Sequence, residues 1–104
     1  MVQTMTDEAN YLSDLAPWSK TKAVELGIIE GLDIENQHFE ILVTARNFYS
    51  IYGFSPSMRP LCKTVTEHLG VNKGRSMYLN QLFPGSPAKI VAKLAGLPKP
   101  KNCI

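Results

Sequence analysis

Apolar positions along this chain fall at three- and four-residue intervals, and Pro and Gly punctuate them regularly. The pattern predicts short helices joined by tight turns. Ser19 is placed to cap a helix running to about Glu30, with Ala23, Val24, Leu26 and Ile29 as its apolar side. Gly27 weakens that helix slightly and Gly31 ends it. Asn36 is placed to cap a second helix to about Tyr52. Its stripe of Phe39, Leu42, Val43, Ala45, Phe48, Tyr49 and Tyr52 is wide, which predicts the central helix of the domain, ended by Gly53. Core packing accounts for these aromatics better than a cofactor box does. Ser57 opens a third helix with Pro60 in its first turn, where a missing N–H does little harm. Leu61, Val65 and Leu69 form its stripe and Gly70 stops it. A fourth helix is expected from about Gly74 to Phe83, carrying Met77, Tyr78, Leu82 and Phe83. After the Pro84-Gly85 turn, Ser86-Pro87 starts a fifth, with Ile90, Val91 and Leu94 facing inward and Gly96 at its end.

The two ends read differently. Residues 1–18 have the weakest pattern. Tyr11-Leu12 fit a short strand or an extended arm, and Trp18 looks like a core anchor. In the tail, Leu97-Pro98-Lys99-Pro100-Lys101-Asn102-Cys103-Ile104, two prolines forbid a regular helix and favour an extended conformation. The expectation is a mainly α protein, a small orthogonal bundle of about five helices over residues 1–96. Residues 97–104 form a mobile C-terminal arm projecting from it.

Composition sets limits on this reading. With 104 residues, 44% of them hydrophobic and 19% charged, the chain suits one domain with a real core, without disulfides or structural metal. Apolar runs such as Ile41 to Val43 fall far short of the roughly 20 residues a membrane span needs. The N-terminal residues lack a basic region followed by an apolar one, so no secretory signal and a cytoplasmic location are expected. No phosphate-binding Gly loop, nucleophile elbow or zincin motif is present.

Charge is unevenly distributed. Residues 1–45 hold eight acids and two bases, whereas residues 46–104 hold nine bases and Glu67 as their single acid. The basic half could steer toward nucleic acid or an acidic protein, or the two halves could simply attract each other.

His38 and His68 are not at metal-ligand spacing and read as ordinary surface or core residues. Two cysteines are too few for a disulfide scaffold or a Cys-rich zinc site, and no metal or organic cofactor is indicated. Cys62, inside the third helix, reads as a small buried apolar residue. Cys103 is different: on a semi-extended arm it has no core to fill, and an exposed thiol is a liability unless used. An unperturbed thiol of pKa ~8.5 is only about 3% ionised at pH 7. Lys99 or Lys101 at ~6 Å in water adds roughly 0.7 kcal/mol before salt screening. No neighbouring His can act as base. A reach-and-deliver role fits best, with a partner supplying activation and Cys103 carrying sulfur as a persulfide or forming a transient mixed disulfide.

From Tyr11 onward the chain resembles the TusE/DsrC family of small sulfur-carrier proteins. The matching pieces are Tyr11-Leu12 with Trp18-Ser19, Gln37-His38-Phe39-Glu40, Arg46-Asn47-Phe48-Tyr49, Ser55-Pro56 with Arg59, Leu79 with Leu82-Phe83-Pro84, and Pro87-Ala88-Lys89. The most specific is Ala95-Gly96-Leu97-Pro98-Lys99-Pro100 ending in Cys103-Ile104. The resemblance implies a helical domain with a small N-terminal β-hairpin, here short and truncated, and a mobile arm whose penultimate cysteine, Cys103, accepts persulfide sulfur. In the TusE branch, sulfur passes through a relay to a tRNA thiouridylase making 2-thiouridine. In the DsrC branch, the protein works with dissimilatory sulfite reductase and has a second arm cysteine eleven positions before the penultimate one. Ala92 stands there in this chain, which favours the TusE-like carrier. Phe39 stands where the family commonly has Trp.

The leading hypothesis is therefore a sulfurtransferase-type persulfide carrier for tRNA wobble-uridine 2-thiolation. Cys103 is acceptor and donor, and Gly96, Pro98, Lys99, Pro100 and Lys101 form the supporting arm. Its partners would be a TusBCD-like upstream sulfurtransferase complex and a downstream thiouridylase, with tRNA nearby and no membrane. A subunit or regulator associated with sulfite reductase is the second reading. A nucleic-acid-binding domain is the third: the third and fourth helices, separated by Gly70-Val71-Asn72-Lys73, loosely resemble a helix-turn-helix in which Lys73 and Arg75 could touch phosphates.

Overall fold

The computed structural model describes residues 10–101. Five α-helices follow a single 3-10 turn: α1 (Lys20–Ile29), α2 (Asn36–Tyr52), α3 (Met58–Leu69), α4 (Ser76–Leu82) and α5 (Pro87–Leu94). No strand occurs among the described residues. Tyr11–Asp14 form the 3-10 turn instead of the strand or extended arm expected of Tyr11-Leu12. The Asn10 side chain accepts from the Leu12 N–H and caps this turn. The rest of the expected N-terminal hairpin lies outside the described residues.

Ser19, Ser57 and Ser86 stand at the helix starts as expected, although the Ser57 and Ser86 side chains make no cap hydrogen bond. The Ser19 side chain accepts from the Lys22 N–H at 3.2 Å to start α1. At α2 the cap is Glu35 rather than Asn36. The His38 ring nitrogen Nδ1 reaches back to accept from the Glu35 N–H at 3.1 Å in a capping box, which leaves the Asn36 side chain to accept from Lys20. His38 also meets the Phe83 ring edge-on at 5.3 Å, so both sides of its imidazole serve structure. The fourth helix starts two residues later than expected, at Ser76 after Arg75.

The short last helix organises the core. Pro87, Ala88, Val91, Ala92 and Leu94 are buried, and α5 packs against each of the other four helices. It shares the central position expected of α2, which packs on the 3-10 turn, α3 and α5. Ile41, Leu42 and Ala45 of α2, Leu61 and Val65 of α3, Leu79 of α4, and Phe83 complete the core.

On α1 the inward side is Ala23 and Gly27, while Ile29 is 74% exposed, contrary to its predicted place in the core. Gly27 is not merely tolerated. A Cβ there would lie 2.4 Å from the Ile34 side chain, so the glycine lets the α1–α2 link fold back against the helix.

Gly74 has a comparable role. A Cβ on it would fall 2.8 Å from both the Cys62 carbonyl and the Thr66 amide, backbone atoms of α3 that cannot swing aside. Gly74→Ala should therefore destabilise the domain by roughly 1–3 kcal/mol, as overpacked sites do. Urea unfolding checks this, and an unchanged midpoint would show that the turn shifts freely.

Candidate functional site

The carbonyls at the end of a helix need donors from outside the helix ladder. At α5 they are accounted for one by one. The Ala95 N–H bonds the Val91 carbonyl at 2.8 Å, the Leu97 N–H bonds Ala92 at 2.8 Å, and the Gly96 N–H bonds Lys93 at 3.3 Å. The last two make a Schellman motif, which requires the left-handed backbone that Gly96 adopts at φ 71°. Two carbonyls remain, and distant side chains serve them. Trp18 Nε1 donates to Leu94 at 2.8 Å, and Arg46 Nη1 donates to Ala95 at 2.6 Å.

Trp18 and Arg46 also hold each other. The guanidinium carbon sits 4.4 Å from the Trp18 ring centre, and Phe39 also stacks on Trp18 at 5.5 Å with planes 6° apart. Burial pulls the Arg46 guanidinium below its usual pKa. Gly96 lies against both side chains, with a Cβ placed there 3.0 Å from Trp18 and 3.3 Å from Arg46 Nη1. Its role is this close approach as well as its backbone conformation.

Residues 97–100 do not project from the bundle. Leu97 is 7% exposed, Pro100 is buried, and the buried Ser55 Oγ donates to the Pro98 carbonyl. This corrects the expected projection of the arm over residues 97–100. Leu97 and Pro100, three residues apart, turn inward, while Pro98, Lys99 and Lys101 stay in water. Lys99 borders a hollow with Lys89, Lys93 and Leu97, and Lys101 borders another with Gly53, Phe54, Ser55 and Ser57. The structure thus assembles Gly96, Pro98, Lys99, Pro100 and Lys101 into one surface strap. Cys103 lies outside the described residues.

The other candidates take structural roles. Cys62 is half-buried on α3, and desolvation pushes its thiol up, away from the reactive thiolate. Ala92 is buried on α5. His68 Nδ1 lies 2.9 Å from the Thr64 carbonyl one turn back. Lys73, a proposed phosphate contact, is bound to Glu40 at 2.5 Å, and that hydrogen bond holds its ammonium above the ordinary pKa. Lys93 pairs with Glu30 at 2.5 Å. Both described ion pairs join the acidic half to the basic half, as expected of halves that attract each other.

These features define a small helical domain that carries a basic, proline-stiffened C-terminal strap on its surface. The chain belongs to the DsrC-like family, whose model, described as "DsrC like protein", matches residues 2–104. It is 40% identical over 103 residues to a protein named sulfurtransferase TusE homolog from Haemophilus influenzae, covering 99% of this chain and 94% of that one. It is 41% identical over 99 residues to sulfurtransferase TusE of Escherichia coli, covering 95% and 91%. Its fold is similar to the solution structure of Allochromatium vinosum DsrC, with TM-score 0.77 and 39% identity over 93% of this chain and 87% of that one. It is also similar to the oxidized gamma-subunit of the dissimilatory sulfite reductase (DsrC) from Archaeoglobus fulgidus, with TM-score 0.70 and 28% identity over 84% and 80%. Among the described residues no helix is long and apolar enough to cross a membrane.

Arg46 and Ser55 were visible in sequence only as parts of the family resemblance, and nothing in their spacing assigned them a role. Replacing Arg46 by Ala removes a charged donor from a helix-end carbonyl, a loss of about 1.5–3 kcal/mol. Arg46→Lys should recover little, because one ammonium cannot both cover a ring and reach the carbonyl as a planar guanidinium does. Trp18, the single tryptophan, reports this directly: its emission should shift to the red in Arg46→Ala as the indole gains water. Unchanged emission and stability would contradict the latch.

Proposed function

We propose that this protein is a sulfur carrier in a sulfur relay, accepting sulfur as a persulfide on Cys103 and passing it toward tRNA wobble-uridine 2-thiolation. The observation that carries this reading is the near-full-length similarity, at about 40% identity, to proteins named sulfurtransferase TusE. The partners on this reading are a TusBCD-like upstream sulfurtransferase complex and a downstream thiouridylase.

The transfer step balances without an external oxidant. The Cys103 thiolate attacks the outer sulfur of a donor Cys–S–SH. The donor S–S bond breaks as a new S–S bond forms on Cys103, and the donor thiolate leaves and takes up the proton that Cys103 gave. Cys103 has no neighbouring His to ionise it, so the donor site supplies activation. Lys99 and Lys101, exposed on the strap, favour the anionic persulfide and guide approach.

The similarity to two DsrC structures supports a second reading, a component associated with sulfite reductase. Buried Ala92 at the position of the second arm cysteine weighs against the disulfide cycle that resemblance implies.

Intact-protein mass after incubation with a persulfide-loaded upstream donor tests the carrier role. Wild type should gain one sulfur that a thiol reductant removes, and Cys103→Ser should gain none while keeping its fold. Transfer retained by the serine variant would contradict the mechanism.

A further inference from the structure

With the strap seated, chain length alone bounds the distance between Cys103 and Lys101. Ser55 holds the Pro98 carbonyl and Pro100 is buried, which seats the strap up to Lys101. Two residues of extended chain span at most about 7 Å, and the side chain brings the cysteine sulfur to about 10 Å from the Lys101 Cα. Any group that bonds this sulfur while the strap is seated must come down onto the surface around Lys101.

An exposed aromatic cluster adjoins that surface. The hollow beside Lys101 is lined by Gly53, Phe54, Ser55 and Ser57. Phe54 belongs to an aromatic cluster in which Phe48 lies 4.6 Å from Tyr52 and 5.3 Å from Phe54. Tyr52 is 57% exposed and Phe54 47%. Tyr11 lays its ring against Gly53 and extends the patch, and Ile51 is exposed beside it in sequence. A second hollow, lined by Phe48, Tyr52, Pro60, Lys63, Thr64 and Glu67, continues it along α3. Exposed aromatics grouped this way mark binding surfaces, where such side chains carry much of the affinity.

We propose that the aromatic surface of Tyr11, Phe48, Tyr52 and Phe54 is the docking face for the protein that exchanges sulfur with Cys103. This proposal rests on the carrier reading above and names where the partner binds. The partner presents its reactive cysteine at the edge of an apolar patch that covers Tyr52 and Phe54, with an acidic group opposite Lys101. Nucleic acid fits less well. The rings meet each other edge-on or tilted, at 87° for Phe48–Phe54 and 42° for Phe48–Tyr52, so they form one apolar knob and not a row of open faces for bases.

The test compares two donors on the full-length protein. Glutathione persulfide needs no docking face, whereas a persulfide-loaded TusBCD-type complex does. Tyr52→Ala and Phe54→Ala should each slow loading by the protein donor at least tenfold and leave loading by glutathione persulfide within twofold. Ile29→Ala and Met77→Ala, on exposed apolar residues of α1 and α4, should leave both unchanged. Tyr52 is the more exposed of the pair, so Tyr52→Ala remains decisive if Phe54→Ala lowers the melting temperature.

Protein-donor loading at the wild-type rate in Tyr52→Ala overturns the proposal. So does a slowing by Ile29→Ala or Met77→Ala equal to that by Tyr52→Ala. Loss of salt-dependent tRNA retention in the two aromatic variants, with transfer intact, would make the face a nucleic-acid contact and overturn it as well. A wild-type dimer that Tyr52→Ala turns into a monomer, again with transfer intact, would assign the face to a second copy. Failure of wild type to take sulfur from either donor would sink the carrier reading itself, a result distinguishable from all of these.

Discussion

A helix packed against four neighbours must find partners for its last carbonyls, and the fold is arranged around how α5 does so. An unsatisfied buried carbonyl costs about 1–3 kcal/mol. Three of the terminal carbonyls are met by the chain's own turn through Gly96, and the other two by Trp18 and Arg46. Trp18 precedes α1 and Arg46 sits in the middle of α2, so the same bonds that close α5 tie three separate parts of the chain to one point. Phe39 stacks on Trp18 and brings the first turns of α2 to the same place. The direction in which the strap leaves α5 is set there too, since Gly96 fits beneath the indole and the guanidinium.

Close backbone approach and modest electrostatics complete the arrangement. Gly27 and Gly74 each allow a connecting segment to pack where a methyl group has no room. The Lys93–Glu30 pair spans α5 and the end of α1, and Lys73–Glu40 spans the α3–α4 turn and α2. Partly exposed pairs of this kind contribute about 0–1 kcal/mol each. Buried packing and the helix-end hydrogen bonds therefore hold the helices, while the opposed charges of the two halves favour their correct approach.

Much of this was legible in the sequence because it is local. Ser19, Ser57 and Ser86 stand immediately before helices, and Gly31, Gly53, Gly70 and Gly96 stand just beyond them. The misreadings were also local contests. Glu35 outcompeted Asn36 because His38 could return the cap, and Tyr11-Leu12 turned because Asn10 supplied an acceptor two residues on. Ile29 looked buried by spacing, yet α1 turns its small residues inward and leaves Ile28 and Ile29 to water. What could not be read were the long-range contacts of Trp18, Arg46 and Ser55 with backbone carbonyls 76, 49 and 43 residues away. A main-chain carbonyl is the same in every residue, so its partner leaves no pattern in the sequence.

A carrier has to satisfy two opposing demands: its sulfur must reach into a partner, and the segment bearing it must not lose so much freedom on binding that affinity is spent on ordering. A strap already seated by Ser55, Leu97 and Pro100 has met most of that ordering cost in the folded state, at about 0.5–1.5 kcal/mol for each side chain not left to immobilise later. On the proposed carrier reading, a seated strap shifts the burden of recognition from the tail to the body. An arm long enough to enter a deep site could depend on its own residues for specificity. On the same reading, a cysteine two residues beyond a seated strap relies on the surface around Lys101, where exposed aromatic rings lie.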